Sequence, residues 1–173
     1  MRRPDLTPNC DSCAALCCVA MPFDASEDFA FAKAAGARCR YLTGDCRCSI
    51  HDDLIGRGFA GCVSYECYGA GPRATVRFTK ENERTRNEAF VVLVAVHEQL
   101  WLLTEAQKLC PRICDQLHIE LAAHIATLDA VAAEAAPALI ELDLRPLRAL
   151  TDALLHQVGD ALGGRAGFQR QAT

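Results

Sequence analysis

Apolar and polar positions divide the chain into two unlike parts. In the second part, Asn87 to Leu109 is predicted to form one long helix, with Asn82 or Thr85 near its start. Cys110-Pro111 marks its end, because proline lacks the backbone donor that a continuing helix needs. Ala89 to Val96 is apolar at every position, so this stretch is expected to be buried all round; a buried strand is the alternative. Cys114, Leu117, Leu121, Ile125, Leu128 and Val131 then recur at the three-and-four spacing of a helix stripe. Pro137 is expected to restart a helix and Pro146 to kink or break it. Leu147, Leu150, Leu154, Leu155, Val158 and Leu162 form a last stripe, Gly163-Gly164 its end, and the tail to Thr173 is expected to fray. Three or four helices with short connections predict an antiparallel helical hairpin or bundle.

The first part lacks such stripes. Asp24 to Gly36 can hold one short helix, capped by Asp24 or Ser26 and ended by Gly36. His51-Asp52-Asp53 suits a helical turn with acids at its start. Ala74 to Thr79 alternates and reads as one short strand. Phe23, Phe29, Phe31, Leu42, Ile50, Leu54, Ile55, Phe59 and Val63 are too few large apolar side chains to hold some 70 residues together, so this part needs staples. The division that follows is a small irregular module at 8–72, a mildly basic linker at 73–86, a helical region at 87–163 and a flexible tail at 164–173. The fold class is mainly α.

The cysteines supply the staples. The 173-residue chain has 11 of them, and nine lie in the first 67 residues. Cys10-Asp11-Ser12-Cys13 is a knuckle whose tight turn aims two sulfurs at one ion, at about 2.3 Å from a zinc. Cys17-Cys18 follows, then Cys39, then Cys46-Arg47-Cys48 with His51, then Cys62 and Cys67. The nine thiols and His51 are the candidate metal ligands. Cys39 and Cys46 have the alternative of simple packing, and His51 that of an exposed cap or an outer hydrogen-bond donor. Adjacent Cys17 and Cys18 diverge by roughly 100° on a helix or point to opposite faces of a strand, so they feed two neighbouring sites, or one of them packs. Two four-ligand sites or one four-iron cluster both fit the number of donors. Structural zinc binds such sites with ~10–16 kcal/mol, enough to dominate the folding of a small module.

Cys10-x2-Cys13-x3-Cys17-Cys18, Cys39-Arg40-Tyr41-Leu42, Cys48-Ser49-Ile50-His51 and the pair Cys62, Cys67 resemble the bacterial zinc- or iron-chelating (CxxCxxxCC) domain family. Leu16-Cys17-Cys18-Val19-Ala20, Gly58-Phe59-Ala60-Gly61-Cys62 and Tyr65-Glu66-Cys67 are similar, more closely, to the cysteine-rich segment preceding pentapeptide repeats in some bacterial proteins. The resemblance covers about residues 8–72 and implies thiolate metal binding. His51 stands where the chelating family has tyrosine, and no pentapeptide repeat follows residue 72.

Charge narrows the classes. The net charge of −4 comes from the second half: residues 1–85 hold 11 basic and 11 acidic groups, residues 86–173 hold 7 and 11. A general nucleic-acid binder is not expected. The longest purely apolar run, Ala89–Val96, is too short to cross a bilayer, so no membrane partner is expected. No secretory signal is recognisable at the start, so the expected compartment is the reducing cytoplasm, where thiols bind metal more often than they form disulfides. Cys110 and Cys114 are read as two buried thiols, with completion of a metal site as the alternative. His97, His118, His124 and His156 form no zinc-protease motif and are read as surface or core residues, and Trp101 as a core anchor.

The expected function is therefore a cytoplasmic metal-binding protein. Its cofactor is zinc or iron, held through thiolates, and its helical region serves self-association or a protein partner. An iron–sulfur protein with a redox or sensing role is the first alternative, and an accessory domain of a modification enzyme another. No catalytic triad, Walker sequence or dinucleotide fingerprint is present, and Glu66 beside Cys67 is at most a speculative base, so catalysis by the chain itself is not expected.

Overall fold

The computed structural model describes residues 5–170. Their α-helices are α1 Leu16–Ala20, α2 Ala60–Ser64, α3 Ala70–Arg77, α4 Glu83–Leu109, α5 Asp115–Val131, α6 Ala136–Ile140 and α7 Arg145–Arg170. The described residues contain only isolated antiparallel bridges, Phe23 with Lys33 and Leu42 with Cys48, so the fold is mainly helical, as expected.

α4 is the axis. The Asn82 side chain accepts from the Thr85 amide at 3.0 Å and satisfies one of the amides a helix start leaves free. α1, α3, α5, α6 and α7 all pack on it. The turn Cys110–Cys114 folds α5 back along α4, and α7 packs on both helices, giving the antiparallel bundle. Phe90, Leu93, Val96, Leu100 and Leu103 of α4, Leu121 and Leu128 of α5, and Leu154 of α7 are fully buried. Each such side chain contributes about 1.5–3 kcal/mol. Glu83–Leu109 is also long and apolar enough to cross a membrane by length and composition, but 50% of its most apolar window is buried inside the protein.

Several expectations are corrected. The eight apolar residues of α4 are not buried all round: Val91 is 40% exposed, and Val92 and Val94 are half-buried beside it. Ala74–Thr79 is no strand. Ala70, Ala74 and Phe78 recur every four residues and bury one helical stripe against the core, while Val76, which the alternating pattern made an inward position, is exposed. The stretch expected to link the two parts thus holds the second half of α3 and the start of α4. Pro146 neither kinks nor breaks a helix; it lies in the first turn of α7, where the missing amide has no partner to lose. Gly163-Gly164 do not stop α7, which runs through Arg170. Of the tail expected to fray, 171–173 lie outside the described residues.

Asp24–Gly36 is not helical either. Phe23 and Lys33 exchange backbone hydrogen bonds at 3.0 and 2.7 Å, closing a bent hairpin. Aromatic packing decides this. Phe23 stacks on Phe29 with centroids 4.4 Å apart, and Phe31 and Tyr41 meet the buried Phe59 edge-on at 5.0 and 5.6 Å. A helix would set Phe29 and Phe31 about 200° apart. This aromatic cluster is a small second core, built from four phenylalanines counted above as too few to hold this part together, with Tyr41 added.

Candidate metal centre

Two rigid elements aim the cysteines. In α1, Leu16, Val19 and Ala20 are buried against the bundle. That fixes the helix, with Cys17 at the edge of the buried face and still packed on the core, and Cys18 turned away from it. Their sulfurs lie 4.0 Å apart. In α3, Gly71 is the floor of a sulfur cradle: a Cβ there would sit 2.8 Å from Cys13 Sγ and 3.7 Å from Cys67 Sγ. Only glycine lets these two sulfurs, far apart in sequence, close over the helix start.

The Cys10 end is set by a tight helical turn at Cys10–Ser12, whose Asp11 and Ser12 amides donate to the Asn9 side chain. Cys13 leaves this turn, and its neighbour Ala14 donates to Thr75 Oγ1 of α3 at 2.9 Å. That hydroxyl lies 2.9 Å from the Gly71 carbonyl and 3.8 Å from Cys13 Sγ, so its one proton serves either acceptor. At the other end, Tyr68 and Gly69 both take left-handed backbone angles immediately after Cys67. A side chain at Gly69 would meet the Thr7 carbonyl at 3.0 Å, which ties the start of the chain to this turn.

The remaining cysteines come in through loops. The Cys39 amide donates to the Cys18 carbonyl at 3.0 Å. Cys48 pairs with Leu42 across a turn that begins at Thr43. Cys62 is in α2, whose Gly61 packs so tightly on Phe29 that a Cβ would overlap the ring.

Several thiols lie near enough to influence one another. Partial desolvation pushes the Cys10 thiol up, and Cys17, Cys13 and Cys67 add to it. Burial pushes Cys62 up to about 11, with contributions from Cys17, Cys39 and Cys48. Cys17 is raised by its hydrogen bond with Cys18 and then by burial. Burial raises Cys67, while the Gly71 and Gly69 amides pull it back. Through these influences Cys17 is linked to two sets, Cys10 with Cys13 and Cys67, and Cys62 with Cys39 and Cys48. Among the described residues, no three His, Cys, Asp or Glu side chains are grouped closely enough to hold an ion as they stand.

Two expected ligands stand outside both sets. Cys46 takes a left-handed angle in the Thr43–Arg47 turn. The His51 ring is largely exposed, 3.6 Å from Asp52. Cys110 and Cys114 lie in the turn after α4, which ends at Leu109, so the pair does not share a helix face. Cys110 is buried, and its thiol is raised by burial and then by Cys114.

Tyr65 stands in one of the stretches that carry the resemblance, but nothing in the sequence marked its hydroxyl or the other polar groups near the sulfurs. Tyr65 Oη is buried without a hydrogen-bond partner. Its hydroxyl is raised by burial and then by Cys17, Cys67 and Cys13. Arg73, at the start of the stretch read as a mildly basic linker, is half-buried, with Nη1 3.4 Å from His97 Nε2 and 3.5 Å from Asp129. Trp101 is no core anchor: it is 39% exposed and its ring packs on Tyr68 at 5.4 Å.

The donors are sulfurs, the type that thiophilic metals take, and two of them, Cys13 and Cys67, converge over Gly71. No family model matches the chain, and no solved structure matches it. The uncharacterized protein YybG of Bacillus subtilis (strain 168) is 41% identical over 126 residues, which are 68% of this chain and 44% of that protein. The chain therefore spans less than half the length of the curated relative it matches.

Proposed function

We propose that residues 8–72 bind zinc or iron through cysteine thiolates, and that the helical region holds this module and offers a surface for self-association or a protein partner. The observation that carries the reading is the convergence of Cys13 and Cys67 over Gly71. Two sulfurs brought together by a helix start, with the Thr75 hydroxyl 3.8 Å from one of them, would be half of a tetrathiolate shell. Cys10, Cys13, Cys17 and Cys67 would hold one ion. Cys18, Cys39, Cys48 and Cys62 would hold a second, which gives the adjacent Cys17 and Cys18 one site each. The bound ion would add cross-links between loops that otherwise meet through the aromatic cluster.

Metal analysis of protein purified with and without oxygen tests this. Stoichiometric zinc in colourless protein supports the metal-stapled module. Iron with acid-labile sulfide assigns the same thiols to an iron–sulfur cluster with a redox or sensing role. Protein free of both metals under both conditions refutes the reading.

A further inference from the structure

The side chain of Lys33 is only 7% exposed and lies inside the cysteine-rich part. Its ammonium donates to the carbonyl oxygens of Ala37 at 2.9 Å, Val19 at 3.1 Å and Ala34 at 3.4 Å, and sits 5.5 Å from the Phe23 ring centroid. Val19 follows Cys18, and Ala37 lies two residues before Cys39. No carboxylate among the described residues pairs with it. A buried cation without an anion is costly. Burial disfavours its charge, and Cys39, Cys18 and Cys17 are the acidic groups near enough to favour it.

We propose that Lys33 is the built-in counter-charge of the metal-thiolate centre. Four thiolates on one divalent ion leave a net charge of minus two, and an ammonium fixed beside Cys18 and Cys39 offsets part of it. The same three hydrogen bonds tie α1 to the 34–37 turn and so set the spacing of the two cysteine segments. Lys33 is thus a positioning residue, acting through the ligands. The inference rests on the metal-binding reading above.

The test uses the full chain with zinc as the probe, titrated in competition with a chromophoric chelator. Lys33→Met removes the charge, and Lys33→Gln removes it while keeping hydrogen-bond donors. Both should lower zinc affinity about 10-fold or more at unchanged stoichiometry, as changes to groups behind metal ligands do, and Lys33→Arg should lose less. A merely structural lysine would weaken metal-free and zinc-loaded protein alike. A counter-charge predicts opposite signs, with the neutral variants melting higher than wild type without zinc and lower with it. Wild-type affinity in both neutral variants, or melting shifts of one sign in both states, overturns the proposal. Failure of the wild-type chain to take up zinc overturns the metal-binding reading itself, and is seen before any variant is compared.

Discussion

His97 Nδ1 lies 2.6 Å from the carbonyl oxygen of Tyr68, the residue directly after Cys67. A carbonyl only accepts, so Nδ1 carries the proton, and Nε2 is left as the acceptor facing Arg73. Arg73 in turn reaches Asp129 of α5. A buried imidazole in the middle of the central helix thereby grips the left-handed turn that delivers Cys67 to its cradle. The cysteine-rich part is bolted to the bundle by polar contacts as well as by Leu16, Ala20, Ala70 and Ala74.

That bolt makes stability fall in acid. Burial lowers the His97 pKa to about 4, opposed by the Tyr68 hydrogen bond and aided by the smaller influence of the Arg73 charge. The unfolded chain takes up this proton near pH 6.5, and the folded chain only near pH 4. The unfolded state therefore binds more protons across that window. Stability falls as pH drops from about 6.5 to 4 and is flat in this contribution outside it. The full loss is roughly 3 kcal/mol. Chemical denaturation of wild type and His97→Gln between pH 7 and 4 checks this: the variant should start less stable and lose less over the window. Parallel curves would contradict it.

The cysteines should not be equivalent. Cys67→Ser removes a sulfur from the Gly71 cradle, whereas Cys46 sits in a left-handed turn outside both thiol sets. On the proposed metal-binding reading, Cys67→Ser lowers zinc affinity by more than about 100-fold, beyond what outer groups cause. Cys10→Ser should lower it too, and Cys46→Ser should leave stoichiometry and affinity unchanged. Metal content per chain, measured together for the three variants, checks the ranking. Equal losses at Cys46 and Cys67 would contradict it.

Legibility in the sequence followed the range of the forces involved. The stripe from Leu117 to Val131 is a local, helical signal, and α5 appears where it says. The cap at Asn82 and the stop at Cys110-Pro111 are local too. Phe29 and Phe31 were misread because their partners, Phe59 and Tyr41, are distant in sequence, and packing against them outweighed the cap of a short helix. Ala74–Thr79 alternates by coincidence; what decides it is the chance to bury Ala70, Ala74 and Phe78 on α4. The spacing of the cysteines showed that sulfurs would gather. It held no trace of Lys33 or Thr75, which carry no motif and reach the cysteine segments only through tertiary structure.

Gly71 is a sharper test of the cradle than any ligand, because it carries no donor atom. Alanine favours a helix by up to about 1 kcal/mol over glycine. Here its Cβ would sit 2.8 Å from Cys13 Sγ, and overpacking of that kind costs about 1–3 kcal/mol. Gly71→Ala is expected to keep its helix content by circular dichroism and yet bind zinc at least tenfold more weakly. Gly159 in α7, where a Cβ meets nothing within 4 Å, is the control: Gly159→Ala should stabilise the chain and leave zinc affinity alone. Unchanged affinity in Gly71→Ala would mean that Cys13 and Cys67 do not share an ion.

Trp101 offers a direct view of the junction when metal is removed. It is the one tryptophan of the chain, 39% exposed, with its ring 5.4 Å from that of Tyr68. Tyr68 holds its place through the carbonyl that His97 grips and through Cys67 beside it. If the thiolates bind an ion, a chelator that strips it loosens the 67–69 turn first. Tyr68 then leaves Trp101, the indole becomes more exposed, and its emission moves to longer wavelength. Far-ultraviolet circular dichroism should change little, because most of the helix lies in α4, α5 and α7. Tyr68→Ala should mimic the red-shifted emission before any chelator is added and cost about 0.5–1.5 kcal/mol for the lost aromatic pair. Adding zinc back should restore the wild-type spectrum and leave that of Tyr68→Ala unmoved. Emission that ignores chelator and zinc alike, in a chain that does take up zinc, would show that the turn after Cys67 is held by His97 alone.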